Sequence, residues 1–113
     1  MQSTPKQSNL VELLLWLLRR RRRFRVTGES MLPALHPGDE VLTTRGAASR
    51  SGDIVVVQHP YRTDLRVVKR VASVRDDGSV TLEGDNPAAS TDSRAFGAVP
   101  AGHVLGRVTS RLP

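Results

Sequence analysis

Two residues in this chain have the types and settings for nucleophilic catalysis. Ser30 lies in Val26-Thr-Gly-Glu-Ser-Met-Leu-Pro-Ala-Leu-His-Pro-Gly-Asp39, a segment rich in glycine and proline, and Lys69 lies in the valine run Val67-Val-Lys-Arg-Val71. A hydroxyl is a poor nucleophile until a neighbouring base takes its proton, and a lysine can be that base only when neutral. Free lysine titrates near ~10.4, so general-base work near neutral pH needs a depression of roughly 2–3 units. Burial among apolar groups is the usual means.

The elements around Lys69 favour burial. If residues 65–73 form a strand, its side chains alternate between two faces. Leu65, Val67, Lys69, Val71 and Ser73 then share one face, with Arg66 and Arg70 turned away from them. At ~1.36 kcal/mol per pKa unit, desolvating the amine costs about 3–4 kcal/mol of stability. A lysine that snorkels out of an edge strand fits the same alternation. The strand alone leaves its role open.

A third segment, Glu83-Gly-Asp-Asn-Pro-Ala-Ala-Ser-Thr-Asp-Ser-Arg94, narrows the choice. Gly-x-Ser-Met-x-Pro at 28–33 comes first, then Gly-Asp at 38–39 and Gly-Asp-Ile-Val-Val at 52–56. Lys-Arg-Val at 69–71, Gly-Asp-Asn at 84–86 and Ser-x-Asp-Ser-Arg at 90–94 follow. With this ordered set the chain resembles the type I signal peptidases, the Ser/Lys endopeptidase family, over about residues 26–108. Within that family it is similar to the short members that mature nickel-type superoxide dismutase. His59-Pro-Tyr-Arg-Thr-Asp-Leu65, Leu82-Glu-Gly-Asp-Asn-Pro87 and Leu105-Gly-Arg-Val-Thr-Ser-Arg111 carry that narrower likeness. Only Ala72 to Glu83 separate the lysine strand from the Gly-Asp-Asn box, enough for one hairpin turning at Asp76-Asp77-Gly78.

The resemblance implies roles for particular residues. Ser30 is the nucleophile and Lys69 its base, while Ser90 hydrogen-bonds the lysine amine without stabilising its charge as a carboxylate would. The backbone N–H of Ser30 is the expected oxyanion donor. Gly28 stands where some members place a second, hydroxyl donor, and its missing side chain allows a close substrate approach. Pro33 limits the turn after Met31. Met31 is expected to line a shallow pocket for a small substrate side chain, with a place in the core as the alternative. A Gly-x-Ser-x-Gly elbow is excluded because position 32 is leucine. Asp92 and Arg94 read as an ion pair holding their loop, and Asp39, Asp53, Asp85 and Asn86 as turn caps.

At 113 residues the chain forms one small catalytic domain, expected over 23–113, behind an N-terminal helical segment, 1–22. It has no cysteine, and its three histidines, His36, His59 and His103, lack ligand spacing. No metal or other cofactor is expected. The net charge of +6 owes much to Arg19–Arg23 and Arg25, but few aromatics and no DNA-reading motif argue against nucleic acid. Residues 10–18 are apolar except for Glu12. As a helix they reach about 14 Å at ~1.5 Å each, short of a hydrocarbon core of about 30 Å. The expected location is therefore cytoplasmic. The segment either makes peripheral contact with an anionic membrane or docks on the domain or a partner.

From Phe24 onward the chain is expected to be mainly β, a coiled, partly closed antiparallel sheet of the signal-peptidase type. Strands are expected at 23–27, 40–44, 53–59, 65–73, 79–82 and 104–109, with an exposed loop at 45–51. The expected function is removal of an N-terminal leader from a protein precursor, the resemblance implying the nickel superoxide dismutase precursor. The principal alternative is a general signal peptidase acting on exported preproteins. A binding module that lost activity and a self-cleaving repressor-type protein fit the motif set less well.

Overall fold

Valine- and threonine-rich runs broken by Gly, Pro and Asp become six short strands, since β-branched side chains suit the pleated surface and the breakers end each run. The computed structural model describes residues 4–18, 21–28, 30–45, 48–62, 65–86 and 97–112. Helix α1 (Leu10–Leu17) precedes β1 (Arg22–Arg25), β2 (Glu40–Thr44), β3 (Ile54–Gln58), β4 (Arg66–Val74), β5 (Val80–Glu83) and β6 (Val104–Arg111). The strands form one antiparallel sheet in the order β1-β2-β6-β3-β4-β5. The architecture is the mainly β, antiparallel one expected, as an open sheet with one short α-helix among the described residues.

Register places the functional strand. Lys69 lies opposite Val55, and Arg70 lies opposite Ile54 on one side and Glu83 on the other. The β4–β5 hairpin turns where expected: Gly78 N–H donates to the Arg75 carbonyl at 2.9 Å, and Gly78 has φ +86°. Asp77 accepts from the N–H and hydroxyl of Ser79. Those bonds, the hydroxyl first, hold the exposed Asp77 carboxyl below its ordinary value.

Two apolar clusters cover the two faces. Val26, Met31, Leu35, Val41, Ile54, Val56 and Val68 form one, extended by the half-buried Phe24, Leu105 and Val108. Val55, Val57, Val71, Val80, Leu82 and Val99 form the other. Residues 26–39 cover the first face as an irregular segment. Its ends are tied by bonds from Val26 N–H to the Asp39 carbonyl and from Gly38 N–H to the Val26 carbonyl, both 2.8 Å.

The helix is docked with its polar side inward. Asn9 caps it, accepting from Glu12 N–H at 3.0 Å, and Glu12 is its one buried residue. Glu12 Oε2 accepts from Arg21 Nε at 2.9 Å. Leu10, Val11, Leu14, Leu17 and Leu18 face outward, Leu10 and Leu17 being 72% and 77% exposed. A segment apolar on every side but one has no amphipathic stripe to orient it, so the single carboxylate and its arginine decide the orientation.

Glu12 gives the fold an acid-sensitive contact. Burial works against its charge, yet the hydroxyl dipoles of Thr109 and Ser110 and the Arg21 guanidinium outweigh that, so it titrates below 4.5. Its Oε1 closes no hydrogen bond among the described residues, while Thr109 donates to the Leu42 carbonyl and the Ser8 and Ser110 hydroxyls pair with each other. A carboxyl with a depressed folded pKa contributes stability that is present above its unfolded value and lost as pH falls through the folded one. Glu12→Gln is expected to lower the melting temperature at neutral pH. The gap from the native chain should close as pH drops below about 4.5. A gap independent of pH in melting curves would remove this role.

Candidate active site

Gly28 opens the Ser30 turn with φ +75°, a conformation that side-chain-bearing residues rarely adopt. A Cβ there would meet nothing within 4 Å. Backbone conformation, more than space, therefore accounts for glycine at this position. Ser30 follows, half-buried, and the chain turns through residues 30–34 with Leu35 N–H donating to the Met31 carbonyl at 3.0 Å. Met31 is 1% exposed and packed in the first apolar cluster. Of the two readings of Met31, this burial favours the core one: its side chain pins the turn to the sheet.

Lys69 is 4% exposed, so the burial expected from strand alternation is observed. Its side chain leaves β4 on the face of Val55 and Val71, its cross-strand partner and its neighbour two residues on. The other half of that expectation holds as well: Arg70 sits opposite Ile54, on the face of β4 turned away from Lys69. Arg66 is exposed, but Arg70 is 1% exposed, because both faces of β4 are covered at this point.

Arg70 is held by an acid the sequence reading had taken for a turn cap. Its Nε donates to Asp85 Oδ1 at 2.9 Å and its Nη2 to Asp85 Oδ2 at 2.8 Å, a two-pronged pair with both side chains buried. Nη1 donates to the Gly52 carbonyl at 2.8 Å. Asp39 and Asp53 do cap turns, accepting from the N–H groups of His36 and Arg50, both at 2.9 Å. Only the arrangement Lys-Arg followed by Gly-Asp-Asn hinted at the Arg70–Asp85 pair, and it does so only once β4 and β5 are known to be adjacent.

The residue after Asp85 completes the arrangement. Asn86 N–H donates to the Ser30 carbonyl at 2.7 Å. The segment Gly84-Asp85-Asn86 thus holds the Ser30 turn with one residue and the neighbour of Lys69 with another. Three pieces distant in sequence, at 28–33, 69–71 and 84–86, are brought together by backbone and ion-pair contacts. Ser90, Asp92 and Arg94 lie outside the described residues.

The arrangement is that of a small β domain in which a buried lysine strand and a serine turn are clamped by one acidic box. The chain belongs to the Peptidase S24-like family, which matches residues 19–109. It is 33% identical to the mitochondrial ATP-independent inner membrane protease subunit 1b of Arabidopsis thaliana, over 75% of this chain and 66% of that protein. It is also 33% identical to the mitochondrial inner membrane protease subunit 1 of Schizosaccharomyces pombe, over 76% of this chain and 69% of that protein. The human subunit 1 is 31% identical, over 76% and 66% respectively. The chain thus spans about two thirds of the length of these relatives.

Proposed function

We propose that this chain is a signal-peptidase-like endopeptidase that removes an N-terminal leader from a protein precursor, with Ser30 as nucleophile and Lys69 as general base. One observation supports this above the others: the Gly84–Asn86 box grips both the Ser30 carbonyl and Arg70, the residue next to Lys69. The names of the protease relatives favour the same class and lean toward general leader removal. In this reading Ser30 Oγ gives its proton to the neutral Lys69 amine and attacks the scissile carbonyl. The backbone N–H of Ser30 donates to the oxyanion. The ammonium of Lys69 returns the proton to the leaving amine, and water then hydrolyses the acyl-enzyme. Ser90 orients the amine. The substrate lies extended and pairs through its main chain with an open strand edge near Ser30.

The narrower substrate, the nickel superoxide dismutase precursor, rests on the sequence likeness at residues 59–65, 82–87 and 105–111 alone. Incubating the chain with that precursor and with an exported preprotein, followed by mass measurement, distinguishes the two. Cleavage of the preprotein only would discard the narrower reading, and intact mass for both would discard the leader-peptidase function for these substrates.

We also propose peripheral attachment to an anionic membrane through α1. No helix among the described residues is long and apolar enough to cross a bilayer. Its outward leucines and the exposed Arg23 and Arg25 that follow on the same side combine apolar surface with positive charge, as interfacial helices do. Flotation with anionic vesicles is expected at low salt and should fade as salt rises, because screening weakens the arginines. Leu14→Glu together with Leu17→Glu should abolish it. Retention that resists both salt and carbonate would overturn peripheral attachment.

A further inference from the structure

Strand β1 divides its arginines between two environments. Alternation puts Arg23 and Arg25 on one side, where each reaches Glu40 Oε1 at 3.4 Å. The Arg23 guanidinium also lies over Trp16, 5.9 Å from the ring centre, so α1 sits on that side. Arg22 and Phe24 face the other way. There Phe24, Val56 and Leu105 floor a recess of about 120 Å³ with Arg22, Arg45 and Arg66 around it. Arg23 also touches the rim, its charge already engaged by Glu40.

Three exposed guanidinium groups converge on an apolar floor, and no carboxylate lines it among the described residues. Like charges held together repel, and an anion placed among them relieves that cost. Guanidinium groups favour carboxylates because their paired N–H donors match the two oxygens. The floor residues Phe24, Val56 and Leu105 belong to the same apolar cluster as Met31, the neighbour of Ser30. The recess and the Ser30 turn therefore lie against one face of the sheet.

We propose that this recess docks an acidic segment of polypeptide, with an apolar side chain on the floor and Asp or Glu carboxylates on Arg22, Arg45 and Arg66. Resting on the leader-peptidase reading, that segment belongs to the precursor being cut, and the recess is a specificity site apart from the bond cleaved. A bilayer is the poorer occupant. The leucine surface that suits lipid is on α1, on the opposite side of β1, and a concave recess accepts a side chain better than a membrane plane.

The test titrates a short fluorescein-labelled peptide of alternating Glu and Leu into the full chain, read by anisotropy. Binding is expected, weakened by salt, and absent for the matching Lys/Leu peptide. Arg45→Gln and Arg66→Gln should each weaken binding about tenfold, the loss of one charge-assisted bond. Both side chains are exposed, so neither change disturbs the core. Ser30→Ala should bind as the native chain does, which separates docking from cleavage. If the native chain cuts a precursor yet does not bind this peptide, the recess proposal fails while the protease reading stands. Binding at the native affinity by both arginine variants also overturns it. So does binding of phosphatidylglycerol vesicles that needs Arg45 and Arg66 while the peptide stays unbound, since that outcome makes the recess a headgroup site.

Discussion

Ser30→Ala and Lys69→Met are each expected to reduce leader cleavage by about 10³-fold or more, the scale seen when a nucleophile or its base is removed from a hydrolase. The stability of the two variants should diverge. Ser30 is half-buried in a turn, so losing its hydroxyl should change the unfolding free energy little. Lys69 is 4% exposed on an apolar face, where desolvation disfavours a charged amine. Methionine keeps the length of the stem and removes that cost, so Lys69→Met should be at least as stable as the native chain while inactive. Lys69→Arg should be inactive for a different reason, because guanidinium stays protonated at any usable pH and cannot take a proton from Ser30. Precursor cleavage followed by mass, beside urea unfolding of each variant, reads both properties. Substantial turnover by Lys69→Arg would end the general-base role.

Much of the sheet was legible because its strands obey local rules. The 40–44 strand falls at Glu40–Thr44, and the other five lie within two residues of their expected ends. The burial of Lys69 could also be read from the valines at alternate positions. The same alternation put Arg70 on the opposite face, where it lies, but gave no sign of its burial. Alternation separates the two faces of a strand but does not say what covers each. The 26–39 segment, more than thirty positions away, closes over the face that carries Arg70. The role of Asp85 was misread, and that of Met31 left between pocket and core, for the same reason: an ion pair and a packing role both depend on which distant segment lies against them. The orientation of α1 was undecided because nine nearly uniform apolar residues carry no stripe, and Glu12 reveals its preference only beside Arg21. The expected partner of the lysine, Ser90, lies outside the described residues, so its role stays a proposal.

The other large effect concerns the pair beneath the site. Arg70 and Asp85 side chains are 1% and 5% exposed and share two charge-assisted hydrogen bonds. Removing one partner strands the other charge in the interior, which typically costs about 3–5 kcal/mol. Small domains have only about 5–15 kcal/mol in total. Asp85→Leu or Arg70→Met alone should therefore leave the chain largely unfolded or strongly shifted to lower urea midpoints. The double variant removes both charges at once and should recover most of that loss, since well-packed apolar groups can replace a buried pair at little cost. Its activity is the sharper measurement. If Asp85 only stabilises, the refolded double variant should cleave at the native rate. If the pair also fixes Gly84–Asn86, through which Asn86 holds the Ser30 carbonyl at 2.7 Å, the double variant should fold yet cleave about 10²-fold more slowly, the size of loss a displacement of about 1 Å can produce. Native cleavage by a stable double variant would reduce the box to a structural staple and leave the placement of the Ser30 turn to the packing around Met31.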